Sequence, residues 1–156
     1  MAKESAGLLL YRRAADGSLE FLLVHPGGPF WKNRDEGAWT IPKGQVDEGE
    51  KPLAAAQRET REELGFCPEG EFIELKPSKQ KAGKLVLAWG VEANWDPGKL
   101  QSNTFSTVWP PRSGKTQTFP EVDCAAYFDL KQARLKINPA QIPFLEELTT
   151  LLEDGA

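Results

Sequence analysis

Histidine, cysteine and long apolar runs are all scarce in this chain of 156 residues. One histidine, His25, excludes metal sites built on several imidazoles and weakens any Ser-His-Asp or Cys-His nucleophile. Two cysteines, Cys67 and Cys124, are too few for a disulfide framework and lack the C-x-x-C spacing of a zinc site. No apolar stretch approaches the roughly 20 residues that span a bilayer, and Met1-Ala2-Lys3-Glu4 does not open a signal peptide. Positive charge is not in excess: 19 Lys and Arg stand against 23 Asp and Glu, a net charge of -4, which disfavours nucleic-acid binding through bulk charge. The expectation is a cytoplasmic protein with neither a membrane nor a nucleic-acid partner. Any metal chemistry must rest on oxygen ligands.

Hydrophobic residues at 40% and charged residues at 27% allow a buried core, and the length suits one domain over residues 1–156. Gly and Pro gather in His25 to Pro29, Asn94 to Gly98 and Trp109 to Gly114, which punctuate short elements. Ala6 to Tyr11 and Leu19 to Val24 read as strands joined through Ala15-Asp16-Gly17-Ser18, whose Asp-Gly pair favours a tight turn. Trp39 to Ile41, Glu71 to Leu75, Lys84 to Val91 and Ala125 to Phe128 read as further strands. Asn94 to Thr118 reads as a long, polar, aromatic-spotted loop, functional or mobile. Pro52 to Leu64 is a helix opened by a proline and closed by Gly65. A second amphipathic helix follows Asn138-Pro139 and carries Ile142, Leu145, Leu148 and Leu152 at helical spacing.

The first helix carries the chemistry. At about 100° per residue, Leu53, Ala56, Thr60 and Leu64 share one sector, and Glu59, Glu62 and Glu63 are expected in another, well away from it. Glutamates at such spacing repel one another by a few tenths of a kcal/mol per pair, an arrangement that becomes favourable when a hard divalent cation sits among the oxygens. A solvated helix face fits the same spacing.

Upstream, Gly44-Gln45-Val46-Asp47-Glu48-Gly49-Glu50 precedes seven residues and then Arg58-Glu59-Thr60-Arg61-Glu62-Glu63-Leu64-Gly65-Phe66. This resembles the Nudix box, G-x5-E-x7-R-E-U-x-E-E-x-G-U, with Gly44, Glu50, Arg58, Glu59, Glu62, Glu63, Gly65 and Phe66 at its specified positions. Thr60 stands at an aliphatic position, where its methyl can pack and its hydroxyl can bond back to the helix. The resemblance implies an α/β/α sandwich with a mixed sheet and a pyrophosphohydrolase of nucleoside diphosphate-linked substrates dependent on Mg2+, with Mn2+ an alternative. It further implies Glu59, Glu62 and Glu63 as ligands, the Gly44 carbonyl as another, Arg58 orienting the glutamates, and Glu50 bracing the loop. A base or fourth carboxylate from a later loop points first to Glu121, then Asp123, with Glu59 an equal alternative as base. The resemblance also allows a homodimer.

The remaining motifs weigh less. Ser113-Gly114-Lys115-Thr116 looks like the end of a P-loop, but Trp109 stands where its first glycine belongs, so a Walker A site is rejected. That segment still offers Arg112 and Lys115 to phosphates, and Trp109 or Phe119 to a base. Lys76, Lys79, Lys81 and Lys84 could steer an anion; His25 reads as a packing or turn residue, Trp39 as core and Trp31 as partly exposed. Lys79 to Lys84 holds neither the proline of ADP-ribose hydrolases nor the tyrosine of diadenosine polyphosphate hydrolases. The substrate expectation is therefore a nucleoside triphosphate or dinucleoside polyphosphate. Ser5 to Tyr11 and Phe21 to His25 resemble openings of the diadenosine enzymes. ADP-ribose or nucleotide-sugar cleavage, a non-catalytic nucleotide sensor and a bland interaction domain are the other readings.

Overall fold

A computed structural model describes residues 4–80 and 83–154; Met1 to Lys3 and Lys81, both read above, lie outside the described residues. The chain opens with β1 (Glu4–Arg13), which is buried along most of its length, and turns back into β2 (Leu19–Pro26). The turn forms where Asp-Gly placed it: Gly17 adopts φ 87° and its N–H donates to the Ala14 carbonyl at 2.9 Å. After β3 (Lys43–Gln45) comes helix α1 (Pro52–Leu64), then β4 (Ile73–Glu74), β5 (Ser78–Lys79), β6 (Leu85–Glu92), β7 (Thr104–Val108), β8 (Thr116–Pro120), β9 (Val122–Asp129), α2 (Leu130–Lys136) and α3 (Ile142–Asp154).

The main sheet runs β4-β6-β1-β2-β9, with β3 also on β1 and β5 also on β6. β1 pairs parallel with β6 and antiparallel with β2 and β3, so the sheet is mixed. Successive residues of a strand face opposite sides. Leu9, Phe21 and Leu23 therefore pack with Phe144, Leu145 and Leu148 of α3 on one face, while Leu8, Leu10, Leu22 and Val24 pack with Ala55, Ala56 and Leu64 of α1 on the other. Two cores, one per face, make the expected α/β/α sandwich. Among the described residues no helix is long and apolar enough to cross a membrane.

Three expectations change. Trp39 to Ile41 is not a strand; it makes only single bridges, Val24 to Thr40 and Trp39 to Ile137, and the strand forms beyond Pro42, which has no N–H to donate. Glu71 to Leu75 shrinks to the two residues of β4. Asn94 to Thr118 is not a loop throughout: it holds a 3-10 turn at Pro97–Lys99 and most of the β7–β8 hairpin, in which Phe105 opposes Phe119 and Ser106 bonds Thr118 at 3.0 Å. Alternating β-branched and aromatic residues favour that pairing, and Pro110 to Gly114 supply the turn.

Candidate active site

Helix α1 begins at Pro52 and ends on Gly65, left-handed at φ 78°, whose N–H donates to the Arg61 carbonyl at 2.8 Å. Its inner face buries Ala55, Ala56, Thr60 and Leu64, and the Thr60 hydroxyl donates to the Ala56 carbonyl at 2.7 Å. Glu63 is buried with them, at 9% exposure, which corrects the expectation of three carboxylates on a face well away from the packed one. Seven residues at about 100° each bring Glu63 to within about 20° of Ala56. Only Glu62 is openly exposed, and Glu59 is half-buried.

Arg58 organises the outer edge. Its Nε donates to Glu50 Oε2 at 2.9 Å and its Nη2 to Glu50 Oε1 at 3.1 Å, a two-pronged bond that ties the β3–α1 loop to the helix. Nη2 also donates to the Gln45 carbonyl at 3.0 Å and Nη1 to Glu59 Oε1 at 2.9 Å. Glu50 accepts further from the Asp47 N–H at 3.0 Å, and these bonds hold its carboxyl below its ordinary range. The Glu59 carboxylate lies so close to Gly44 that a β-carbon at position 44 would overlap it.

These groups border a polar cavity of about 310 Å³ lined by Lys43, Gly44, Glu59, Glu62, Glu63 and Glu121, with Gln45 and Asn103 beside them. Glu121 enters from the bend between β8 and β9: its N–H donates to the Asn103 carbonyl at 2.9 Å, the Gly27 N–H donates to its carbonyl at 2.8 Å, and the Asn103 N–H donates to the Glu62 carbonyl at 2.8 Å. Burial pushes the Glu63 carboxyl up to about 8, with Glu59 and Glu121 adding to the rise and Lys43 offsetting part of it. Burial also raises Glu59, against the pull of Arg58. Lys43 is lowered by burial, which the nearby glutamates oppose.

The donor set is all oxygen, negative and mutually repelling, which fits a hard divalent cation. Among the described residues, no three acidic, histidine or cysteine side chains already converge tightly enough to enclose an ion. The glutamates share a cavity, with Glu59 directed toward Arg58.

Asp123 does not reach this cavity. Its carboxylate pairs with buried His25, whose Nδ1 lies 2.8 Å from Asp123 Oδ1 and whose Nε2 lies 2.6 Å from the Arg34 carbonyl. His25 also meets Trp39 edge-on at 5.4 Å, a packing role for both residues, while Trp31 remains 38% exposed. Arg112, Lys115 and the rejected P-loop segment sit at an exposed hairpin tip rather than a helix N-terminus; Lys76, Lys79 and Lys84 are exposed on and beside β5 and do not line the cavity, though Lys84 is near enough to act on Lys43. Lys43 is the residue that motif reading passed over. Its signal was a lone cation immediately before the glycine of a carboxylate motif.

A family model described as the NUDIX domain matches residues 1–148. The asymmetrical bis(5'-nucleosyl)-tetraphosphatase of Caenorhabditis elegans is 40% identical over 98 residues, 56% of this chain and 65% of that protein. The mouse (Mus musculus) protein of the same name is 35% identical over 103 residues, 59% of this chain and 66% of that protein. The chain thus matches slightly under two thirds of these relatives' length. Among solved structures, the C. elegans Ap4A hydrolase binary complex superposes with a TM-score of 0.64 at 26% identity, covering 98% of this chain and 99% of that one. The NUDIX domain of Shewanella oneidensis NrtR complexed with ADP ribose superposes at 0.65 with 16% identity, covering 97% and 89%, a likeness of fold alone.

Proposed function

The chain belongs to the Nudix family, and from that premise we propose that it is a divalent-metal-dependent pyrophosphohydrolase of dinucleoside polyphosphates. The observation that carries this reading is the convergence of Glu59, Glu62, Glu63, Glu121 and the Gly44 backbone on one polar cavity. The bis(5'-nucleosyl)-tetraphosphatase relatives support the substrate class, and the family match over residues 1–148 supports one hydrolase domain across residues 1–156.

In this reading Glu59, Glu62, Glu63 and the Gly44 carbonyl would hold Mg2+ or Mn2+, which leaves the Glu121 carboxylate free for the proton. A cation bound there would neutralise phosphate charge and lower the pKa of bound water. Arg58 fixes the Glu59 carboxylate and, through Glu50, the loop that carries Gly44. Lys43, the cation lining the cavity, faces the phosphate chain and offsets its charge. Glu121 takes the proton from the attacking water. Of the three acids considered for that step, Glu59 is already bonded to Arg58 and Asp123 is paired with His25, whereas Glu121 is exposed to the cavity and pinned through its backbone.

Product analysis with Mg2+ across dinucleoside polyphosphates, nucleoside triphosphates, ADP-ribose and nucleotide sugars tests the reading, with Glu62→Gln as control. Metal-dependent cleavage of a dinucleoside polyphosphate, lost in the variant, is the expected result. Nucleotide binding without cleavage of any of them would instead make the chain a sensor.

A further inference from the structure

We propose that the cavity between the β7–β8 hairpin and the Gly27 to Asn33 turn is a nucleobase subsite, with Trp109 as its stacking wall. The cavity measures about 540 Å³ and is bordered by Trp109, Gln117 and Phe119 from the hairpin and by Lys32 and Asn33 from the turn. That volume lies within the range of small-molecule sites, and flat aromatic surface with a few polar groups is their usual lining.

Trp109 is held in place. Its N–H donates to the Lys115 carbonyl at 2.9 Å, its own carbonyl accepts from Gln117 Nε2 at 2.8 Å, and its ring meets Phe30 edge-on with centroids 5.5 Å apart. Phe30 is itself 59% exposed, so a partly open aromatic surface is kept rigid beside the cavity. Such a surface stacks on any planar base, because every base has a π-face. The side-chain amides of Gln117 and Asn33 offer a base edge both donors and acceptors.

The opposite wall is built as firmly. A β-carbon on Gly27 would overlap the Pro120 carbonyl, and one on Gly28, at φ 99°, would come within 2.8 Å of Phe105 Cζ. Only glycines let this turn close against the hairpin. The position is equally specific: Pro120 borders this cavity and the next residue, Glu121, borders the acidic one. Trp109 stands opposite Lys115, at the far end of β8 from Glu121, so a ligand with an aromatic end at Trp109 and phosphates among the glutamates runs along β8 for roughly 20 Å, a span that suits the extended chain of a dinucleoside polyphosphate. The inference rests on the proposed function for its phosphate end.

The test pairs binding with kinetics. Equilibrium dialysis of the four nucleoside monophosphates in EDTA should show saturable binding by the wild type. Trp109→Ala should weaken it about 10-fold and Trp109→Phe should restore most of it. With Mg2+, Trp109→Ala should raise KM for a dinucleoside tetraphosphate by a similar factor and leave kcat within about twofold. Should Trp109→Ala not fold by circular dichroism, Trp109→Leu, which keeps an apolar side chain without the ring, and Asn33→Ala, at an exposed position, carry the same comparison. Unchanged nucleotide affinity and KM in the variants that remove the ring or the Asn33 amide would overturn the subsite even if hydrolysis is robust. Trp109-dependent nucleotide binding without hydrolysis of any polyphosphate would uphold the subsite and sink the proposed function.

Discussion

Arg58 grips Glu50 with two parallel bonds, Nε to Oε2 at 2.9 Å and Nη2 to Oε1 at 3.1 Å, and with its remaining nitrogen reaches Glu59. A lysine has one point charge and cannot make that fork. Arg58→Lys is therefore expected to keep the fold but release both Glu59 and the loop holding Gly44. Metal affinity, read from Mg2+ titration of activity, should fall about 10- to 100-fold. Activity half-saturating at the wild-type Mg2+ concentration would show that the fork positions nothing.

Glu121 and Glu59 are separable by substitution. Glu121→Gln keeps size and backbone contacts while removing the base, so kcat should drop about 10²- to 10⁴-fold with little change in KM. The melting temperature should stay within a degree or two, since the carboxylate is exposed. A loss confined to KM would move Glu121 to substrate binding and return the base to Glu59.

Gly44→Ala tests close approach. The added methyl must displace the Glu59 carboxylate, which borders the same space. The expected result is a folded protein whose Mg2+-induced rise in melting temperature is smaller than that of the wild type, with turnover reduced at least about 10-fold. Wild-type values for both would mean that Glu59 stands elsewhere.

Glu63 makes metal-free stability depend on pH. Its carboxyl titrates near 8 in the folded protein against an ordinary value of 4.5. Between these values the folded state binds a proton that the unfolded state has lost, so stability falls as pH rises. In EDTA the melting temperature should decline from pH 5 to pH 8, by an amount on the order of 1–3 kcal/mol or roughly 3–10 °C. Glu63→Gln should flatten that slope, and Mg2+ should stabilise the wild type more at pH 8 than at pH 6. An identical slope in Glu63→Gln would assign the proton to another group.

Helix α1, the first hairpin and the placement of the box glutamates on one helix were legible in the chain. Pro52 and Gly65 mark the helix ends because proline lacks an N–H and glycine tolerates a left-handed cap, properties of single residues. Asp16-Gly17 likewise carries its turn locally. The box spacing places Arg58, Glu59, Glu62 and Glu63 on one helix whatever surrounds it. The β7–β8 hairpin was less legible, because a polar hairpin with one half-buried side and Pro-Gly punctuation has the composition of a loop.

Burial and company came from contacts distant in sequence. Whether Glu63 is solvated or buried depends on the sheet beneath α1, and its carboxyl rises to about 8 only because that sheet removes water from it. Glu121 and Asp123 are two residues apart with the same chemistry, yet one borders the glutamates and the other pairs with His25, because Glu121 lies in the bend before β9, held by Asn103 and Gly27, whereas Asp123 lies within the strand that pairs with β2. Periodicity and single-residue geometry are local and can be read from the order of residues. Desolvation and the meeting of side chains about 60 residues apart exist only once the sheet has closed.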